Sequence, residues 1–277
     1  QGKDDVLHLV PREFGRRGLG QHLVGVATHY RVCHRHGRIQ IGAALAGGGE
    51  LLRKPNGIAS RYSKSHAGSS FNGIIKNCLY EDELVLSPAV QAIAGSGIRN
   101  ICTLNFDDLL EEAFQAADIE VDVATPNEPF SKNWHGTKIF HPHGLLSRFH
   151  TEDEIGAASI VFSEDDYHTI YAEPYSWSNI AQISLLSGSS VLFVGLSMQD
   201  PNLRRLIDLT RSRGFKHQHF AIFRDPTIGA SEAHYEIQQR VRKMIELDLK
   251  NLGVTPWFVD FHETVANVLR SISVADR

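Results

Sequence analysis

Three short runs in this chain carry residue types that can do chemistry. T-L-N-F-D (Thr103–Asp107) sets an amide, Asn105, two residues before a carboxylate, Asp107. F-H-P-H-G (Phe140–Gly144) places His141 and His143 beside a glycine. A neutral imidazole near pH 7 is a suitable general base. V-G-L-S-M-Q-D-P-N-L (Val194–Leu203) offers Gly195, which lets a ligand approach the backbone, and the hydroxyl of Ser197 beside a helix start. Each run also has a plain structural reading. Asn105 and Asp107 are good helix caps, with Asp108, Glu111 and Glu112 favouring the N-terminal half of that helix through its dipole. A histidine before glycine can cover a turn, and the chain holds 15 histidines. Gly195 and Ser197 suit a tight strand-to-helix turn.

The elements that must position these runs alternate in type. Ile98–Leu104 reads as a strand and Asp107–Ala117 as a helix, with apolar Leu109, Leu110, Ala113 and Phe114. Lys138–His141 is a strand ended by Pro142, which lacks a backbone donor. On that reading His141 packs against the sheet, and His143 stands first at the strand end. Ser159–Phe162 is β-like. Ser163 with Asp166 opens a helix through Tyr171, and a second helix covers Ser178–Leu186. Ser190–Gly195 is a buried strand, and Asp200-Pro201 starts a helix. His219–Phe223 is a strand, Ser231–Leu252 a long helix closed by Gly253, Val254–Val259 a strand and Glu263–Ser271 a last helix. Such alternation predicts an α/β fold, a Rossmann-like parallel sheet with helices on both faces. Ligands in open sheets of this kind bind at the carboxyl ends of the strands, where all three runs lie.

Residues 1–70 hold few periods. Arg38–Ala43 reads as a short strand entering a glycine turn, Gly47–Gly49 as a loop, and 53–70 as polar loop. Phe71–Tyr80 is weakly helical, and Ser87-Pro88 starts another helix. The expected organisation is an N-terminal segment over 1–70, either a small helical and loop lobe or part of the same domain, and a nucleotide-binding domain over 71–277. Formal net charge is -4, with 28 basic and 32 acidic side chains, so binding to nucleic acid is not indicated. Cys33, Cys78 and Cys102 form no C-x-x-C pair, which argues against a disulfide framework and a cysteine zinc site and suits a reducing cytoplasm. No apolar run reaches the length of a membrane span.

The three runs, in their order and spacing, resemble the sirtuin-like family, in particular its bacterial antiphage-defence branch. T-L-N-F-D resembles the family's T-x-N-x-D, and F-H-P-H-G its catalytic histidine-glycine motif. I-V-F-S-E-D-D-Y followed by L-F-V-G-L-S-M-Q-D-P-N-L resembles a paired signature of that branch. The likeness spans about residues 76–272. Two departures stand out. The family's G-A-G-x-S phosphate loop has its nearest counterpart in Gly42-Ala43-Ala44-Leu45-Ala46, which keeps two of the four defined residues. The two C-x-x-C pairs that hold zinc in protein-deacylating sirtuins are missing.

The resemblance implies NAD as substrate and no zinc. It implies that Asp107 and the backbone of Phe106 hold the carboxamide. Asn105 would orient the ribose hydroxyls or the attacking water, and His143 would be the base, with His141 the competing candidate. Gly195 and Ser197 would contact the adenosine half, and Gly42 and Ala43 the phosphates. The implied activity is NAD glycohydrolysis to nicotinamide and ADP-ribose or its cyclic form, in the effector of an antiphage defence system. A homo-oligomer and a defence partner or sensor protein are expected with it. The alternatives are an NAD-dependent protein deacylase and a non-catalytic domain that binds NAD or ADP-ribose and regulates a partner.

Overall fold

A computed structural model describes residues 23–28, 71–80, 86–129, 136–162, 164–260 and 262–274. Its centre is a seven-stranded sheet in which every pairing is parallel. In chain order the elements are β1 (Leu23–Thr28), α1 (Phe71–Leu79), α2 (Pro88–Ala94), β2 (Asn100–Thr103), α3 (Leu109–Ala116), β3 (Val121–Ala124), β4 (Thr137–Phe140), α4 (Glu152–Ala157), α5 (Glu164–Ala172), α6 (Trp177–Gly188), β5 (Ser190–Val194), α7 (Pro201–Ser212), β6 (His219–Arg224), α8 (Glu232–Leu252), β7 (Val254–Val259) and α9 (His262–Val274). The strand order is β3-β4-β2-β1-β5-β6-β7. The chain winds outward from β1 on one side, then returns to its other side at β5. The fold is the doubly wound α/β type expected from the alternation.

Helices cover both faces because the strands alternate. In β5, Leu192 and Val194 join one core with Ile93 of α2, Phe114 of α3 and Leu269 of α9. Val191 and Phe193 join the opposite core with Leu206 and Ile207 of α7 and Leu249 of α8. In α7, buried Leu203, Leu206, Ile207 and Thr210 follow the helical period. A third, smaller cluster packs Phe71, Ile75 and Leu79 of α1 against Ile155 of α4 and Leu146. This small helical lobe lies beside the loops that follow β2 and β4.

Local end signals hold. Ser87 caps α2, its hydroxyl accepting the Val90 N–H, with Pro88 in first position. The Asp200 carboxylate accepts the Leu203 N–H at 2.7 Å. Gly253 closes α8 in the left-handed region, φ 84°. Thr151 and Glu154 form a reciprocal capping box on α4.

Four features differ from the sequence reading. The central strand β1 is L-V-G-V-A-T, inside the stretch that shows no period. The Arg38–Ala43 strand and the glycine loop after it lie outside the described residues, as does Ser163. The edge strand β3 and the helix α4 have no counterpart in that reading. Ser159–Phe162 joins no sheet; its backbone meets the site through the Val161 N–H, which donates to the His143 carbonyl at 2.8 Å. No described helix is long and apolar enough to cross a membrane.

Candidate functional site

Sheet register brings the three runs to one level. Thr28 at the end of β1 pairs with Thr103 on one side and Val194 on the other, and Cys102 pairs with Phe140. The residues that follow are therefore Asn105 after β2, His141 after β4 and Gly195 after β5, all on the carboxyl edge. The order β4-β2-β1-β5 spans three strand spacings, roughly 14 Å at about 4.8 Å each. The winding also reverses at β1, and sheets of this kind bind ligands at such a switch point.

Asn105 and Asp107 are both buried. The N-cap of α3 is Asp108, and it makes no side-chain capping bond. Asp107 takes a capping-like contact instead: its Oδ1 accepts the Leu109 N–H at 3.2 Å. Asn105 caps nothing. Its backbone N–H donates to the Thr103 hydroxyl at 3.2 Å, and its Nδ2 is buried without a hydrogen-bond partner among the described residues. An orphan buried donor costs about 1–3 kcal/mol unless an acceptor arrives, so this amide is suited to a ligand or water oxygen. Burial pushes the Asp107 carboxyl up to about 6, against the pull of the Leu109 N–H and His141. It still favours the carboxylate at neutral pH.

His141 and His143 occupy different surroundings. His141 is fully buried, its Nδ1 3.2 Å from the Asn105 carbonyl and its Nε2 2.7 Å from Glu111 Oε1. His143 meets the ring of Tyr167 on α5 edge-on, 5.4 Å between centroids. A tight turn separates the two: the Gly144 N–H donates to the His141 carbonyl at 2.9 Å, and Gly144 has φ +91°. The Ser178 hydroxyl of α6 holds the turn from behind, donating to the Pro142 carbonyl at 2.6 Å.

The loop after Gly144 is tied to the Asn-x-Asp turn. The Phe106 carbonyl accepts the Leu146 N–H at 2.8 Å. The Asp108 carboxylate accepts the Ser147 hydroxyl and the Arg148 backbone N–H, at 2.8 and 2.9 Å. Arg148 also reaches Glu112 at 2.8 Å and lies over the Tyr80 ring. Burial, and then the Asp108 charge, push the Tyr80 phenol up, so it stays protonated.

Past β5, Gly195 has φ +73° and is exposed, as is Ser197. Met198, also at positive φ, turns inward into the α7–α8 core. Thus the turn anchors itself through Met198 and Asp200 and leaves Ser197 exposed. Gly42 and Ala43 lie outside the described residues; the segment continuing directly from β1 begins at residue 29. No group of three or more His, Cys, Asp or Glu among the described residues converges to hold a metal. The Cys102 thiol is buried, which pushes it up to about 12 and makes it a poor nucleophile.

Glu111, Asp108, Tyr80 and Arg148 enter the site without having been singled out by sequence for it. Glu111 lies four residues beyond Asp107, one helical turn, but nothing local says that it faces a histidine. Tyr167 falls within the I-V-F-S-E-D-D-Y signature, although no role attached to it there.

Known proteins share this arrangement of sequence. A family model described as SIR2-like domain matches residues 99–247, more than half of the chain. Two relatives are both named NAD(+) hydrolase ThsA. The protein from Enterococcus faecium is 24% identical over 231 residues, covering 78% of this chain and 46% of the relative. The protein from Bacillus cereus (strain MSX-D12) is 24% identical over 184 residues, covering 63% of this chain and 36% of the relative. The chain thus spans less than half the length of these relatives. With a match that takes in all three strand-end runs, this chain belongs to the SIR2-like domain family.

Proposed function

We propose that this chain is an NAD glycohydrolase domain, and that it serves as the effector of an antiphage defence system. The observation that supports the reading is the register of β4, β2, β1 and β5, which brings the segments carrying Asn105, Asp107, His143, Gly195 and Ser197 to the carboxyl edge of four neighbouring strands. The name NAD(+) hydrolase on both relatives supports it.

The chemistry needs few groups. Nicotinamide leaves NAD as a neutral molecule, so no acid is required to protonate it. The carboxylate of Asp107, with the Phe106 backbone, accepts and orients the carboxamide. Asn105 Nδ2 donates to a ribose hydroxyl or to the attacking water. His143 takes a proton from that water as its oxygen bonds to the ribose carbon and the bond to nicotinamide breaks. The products are ADP-ribose, nicotinamide and one proton, which His143 passes to solvent. Attack by a group of the substrate itself would give the cyclic product. Gly195 and Ser197 hold the adenosine half, and Gly42 and Ala43 are proposed at the phosphates. We further propose that the domain works as a homo-oligomer gated by assembly or by a partner, since unrestrained NAD loss would kill the host cell.

Because Asp107 must be charged, hydrolysis falls as pH drops through about 6. Incubation with NAD and assay of free nicotinamide tests the whole reading. Binding of NAD with no nicotinamide release would favour a regulatory NAD-binding domain. Release that depends on an added acyl-lysine peptide would favour a deacylase.

A further inference from the structure

We infer that Glu111 and His141 form a buried positioning dyad that holds Asn105 in its working place; this rests on the glycohydrolase reading. The geometry comes first. A carbonyl oxygen only accepts, so His141 Nδ1 carries a hydrogen and donates it to Asn105. Its Nε2 then shares one proton with Glu111 Oε1 across 2.7 Å. Three elements are joined in this way: the turn after β2, the end of β4 and helix α3. The bond to Asn105 lands on the peptide next to the side-chain amide that has no partner among the described residues. An imidazole spent on holding a backbone carbonyl and a carboxylate is fixed in orientation with both ring nitrogens occupied, whereas His143, also buried, sits two residues on against Tyr167.

The dyad also acts by charge. Burial disfavours the His141 cation, but Glu111, then the Asn105 carbonyl and Asp107, outweigh it and hold the imidazole above its usual range. The charged groups acting on His141 are Glu111 of α3 and Asp107 of the turn; those acting on Asp107 are His141, Glu111 and Asp108. The cation pulls the Asp107 carboxyl down, against burial and the Glu111 charge. His141 is thus a positioning residue with two tasks. It fixes the Asn105 peptide and it supports the Asp107 charge.

The test separates these tasks from simple packing. In the double variant Glu111→Leu/His141→Leu the whole pair is replaced by apolar groups, a change that buried ion pairs often tolerate in stability. Its kcat is expected to fall about 100-fold with KM within about threefold of wild type, the signature of lost alignment. His141→Asn restores a donor to the Asn105 carbonyl without the charge. It should recover at least about tenfold of that loss at high pH, with the acid limb moved up by about one pH unit as Asp107 loses its cation. The Asn105 side-chain amide signals, read by nitrogen-15 NMR, should shift in the double variant whether or not NAD is turned over. Unmoved Asn105 signals, or a double variant with wild-type kcat, would overturn the dyad. Wild type that releases no nicotinamide would instead defeat the glycohydrolase reading, and the NMR comparison would still decide the dyad.

Discussion

Gly144 lies against the backbone of Ser159 so closely that a Cβ at position 144 would stand 2.1 Å from the Ser159 carbonyl oxygen. The contact lets the 159–161 segment run beside the His143 turn, where the Val161 N–H reaches the His143 carbonyl. Gly144→Ala must therefore move backbone, and it also places a side chain at φ +91°. Left-handed strain and overpacking together predict a loss of about 2–5 kcal/mol. Urea unfolding of wild type and variant measures it. A loss under about 1 kcal/mol would show that the two segments separate easily.

Asn105→Ala should leave stability within about 1 kcal/mol of wild type or raise it, because the variant removes a buried donor that has no partner among the described residues. NAD hydrolysis should nonetheless drop about 100-fold or more, in the range of a lost transition-state donor. His143→Ala should cost at least as much, as expected for a missing base. Both are read as nicotinamide release under conditions where wild type is active. Full specific activity in either variant would strike that residue from the mechanism.

Ser197→Ala is expected to raise KM several-fold and leave kcat nearly unchanged. Ser197 is exposed just past β5, three strands from the His143 turn. Binding lost away from the reacting bond appears in KM. Steady-state kinetics at varied NAD would show it; an unaltered KM assigns Ser197 to the turn alone.

His219 gives a pH dependence of stability. Burial, with a further push from His217, lowers its imidazole to about 4, and the neutral ring accepts the Val191 N–H at Nδ1. The unfolded chain takes this proton near 6.5 and the folded chain only near 4. Stability from this group is present above 6.5 and is lost as pH falls from 6.5 to 4, by about 3 kcal/mol in all. Asp107, raised to about 6, works the other way: the folded state binds its proton first, so its effect favours folding as pH falls. The comparison must therefore be between wild type and His219→Asn, which keeps an acceptor for Val191 and does not titrate. The gap in melting temperature between the two should narrow from pH 7 to pH 4.5. A constant gap would refute the assignment.

Local signals explain why so much of the chain from residue 86 was readable. Ser87-Pro88, Asp200-Pro201 and Gly253 act on their own helix ends within a few residues, and the structure places all three as caps. The period of α7 and the alternation of β5 likewise follow from which face is buried. β1 was not legible for the converse reason. Strands inside parallel sheets read as continuous apolar runs, and L-V-G-V-A-T has no alternation and resembles any short apolar run. Ser159–Phe162 has strand-like residues, yet no strand among the described residues pairs with it in a ladder, and β propensity is silent on partners.

By itself the sequence determined the alternation of strand and helix, the caps, and the three strand-end runs with Asn105, Asp107, His143, Gly195 and Ser197, because each depends on residues a few positions apart. Only the tertiary structure decided that β1 lies between β2 and β5, that Thr103, Thr28 and Val194 end their strands at one level with Phe140 one residue short of it, and that His141 bonds the Asn105 carbonyl and Glu111. Those partners are 36 and 30 residues away in the chain. Contacts at such separation are set by sheet order and register, and no local period or propensity encodes them.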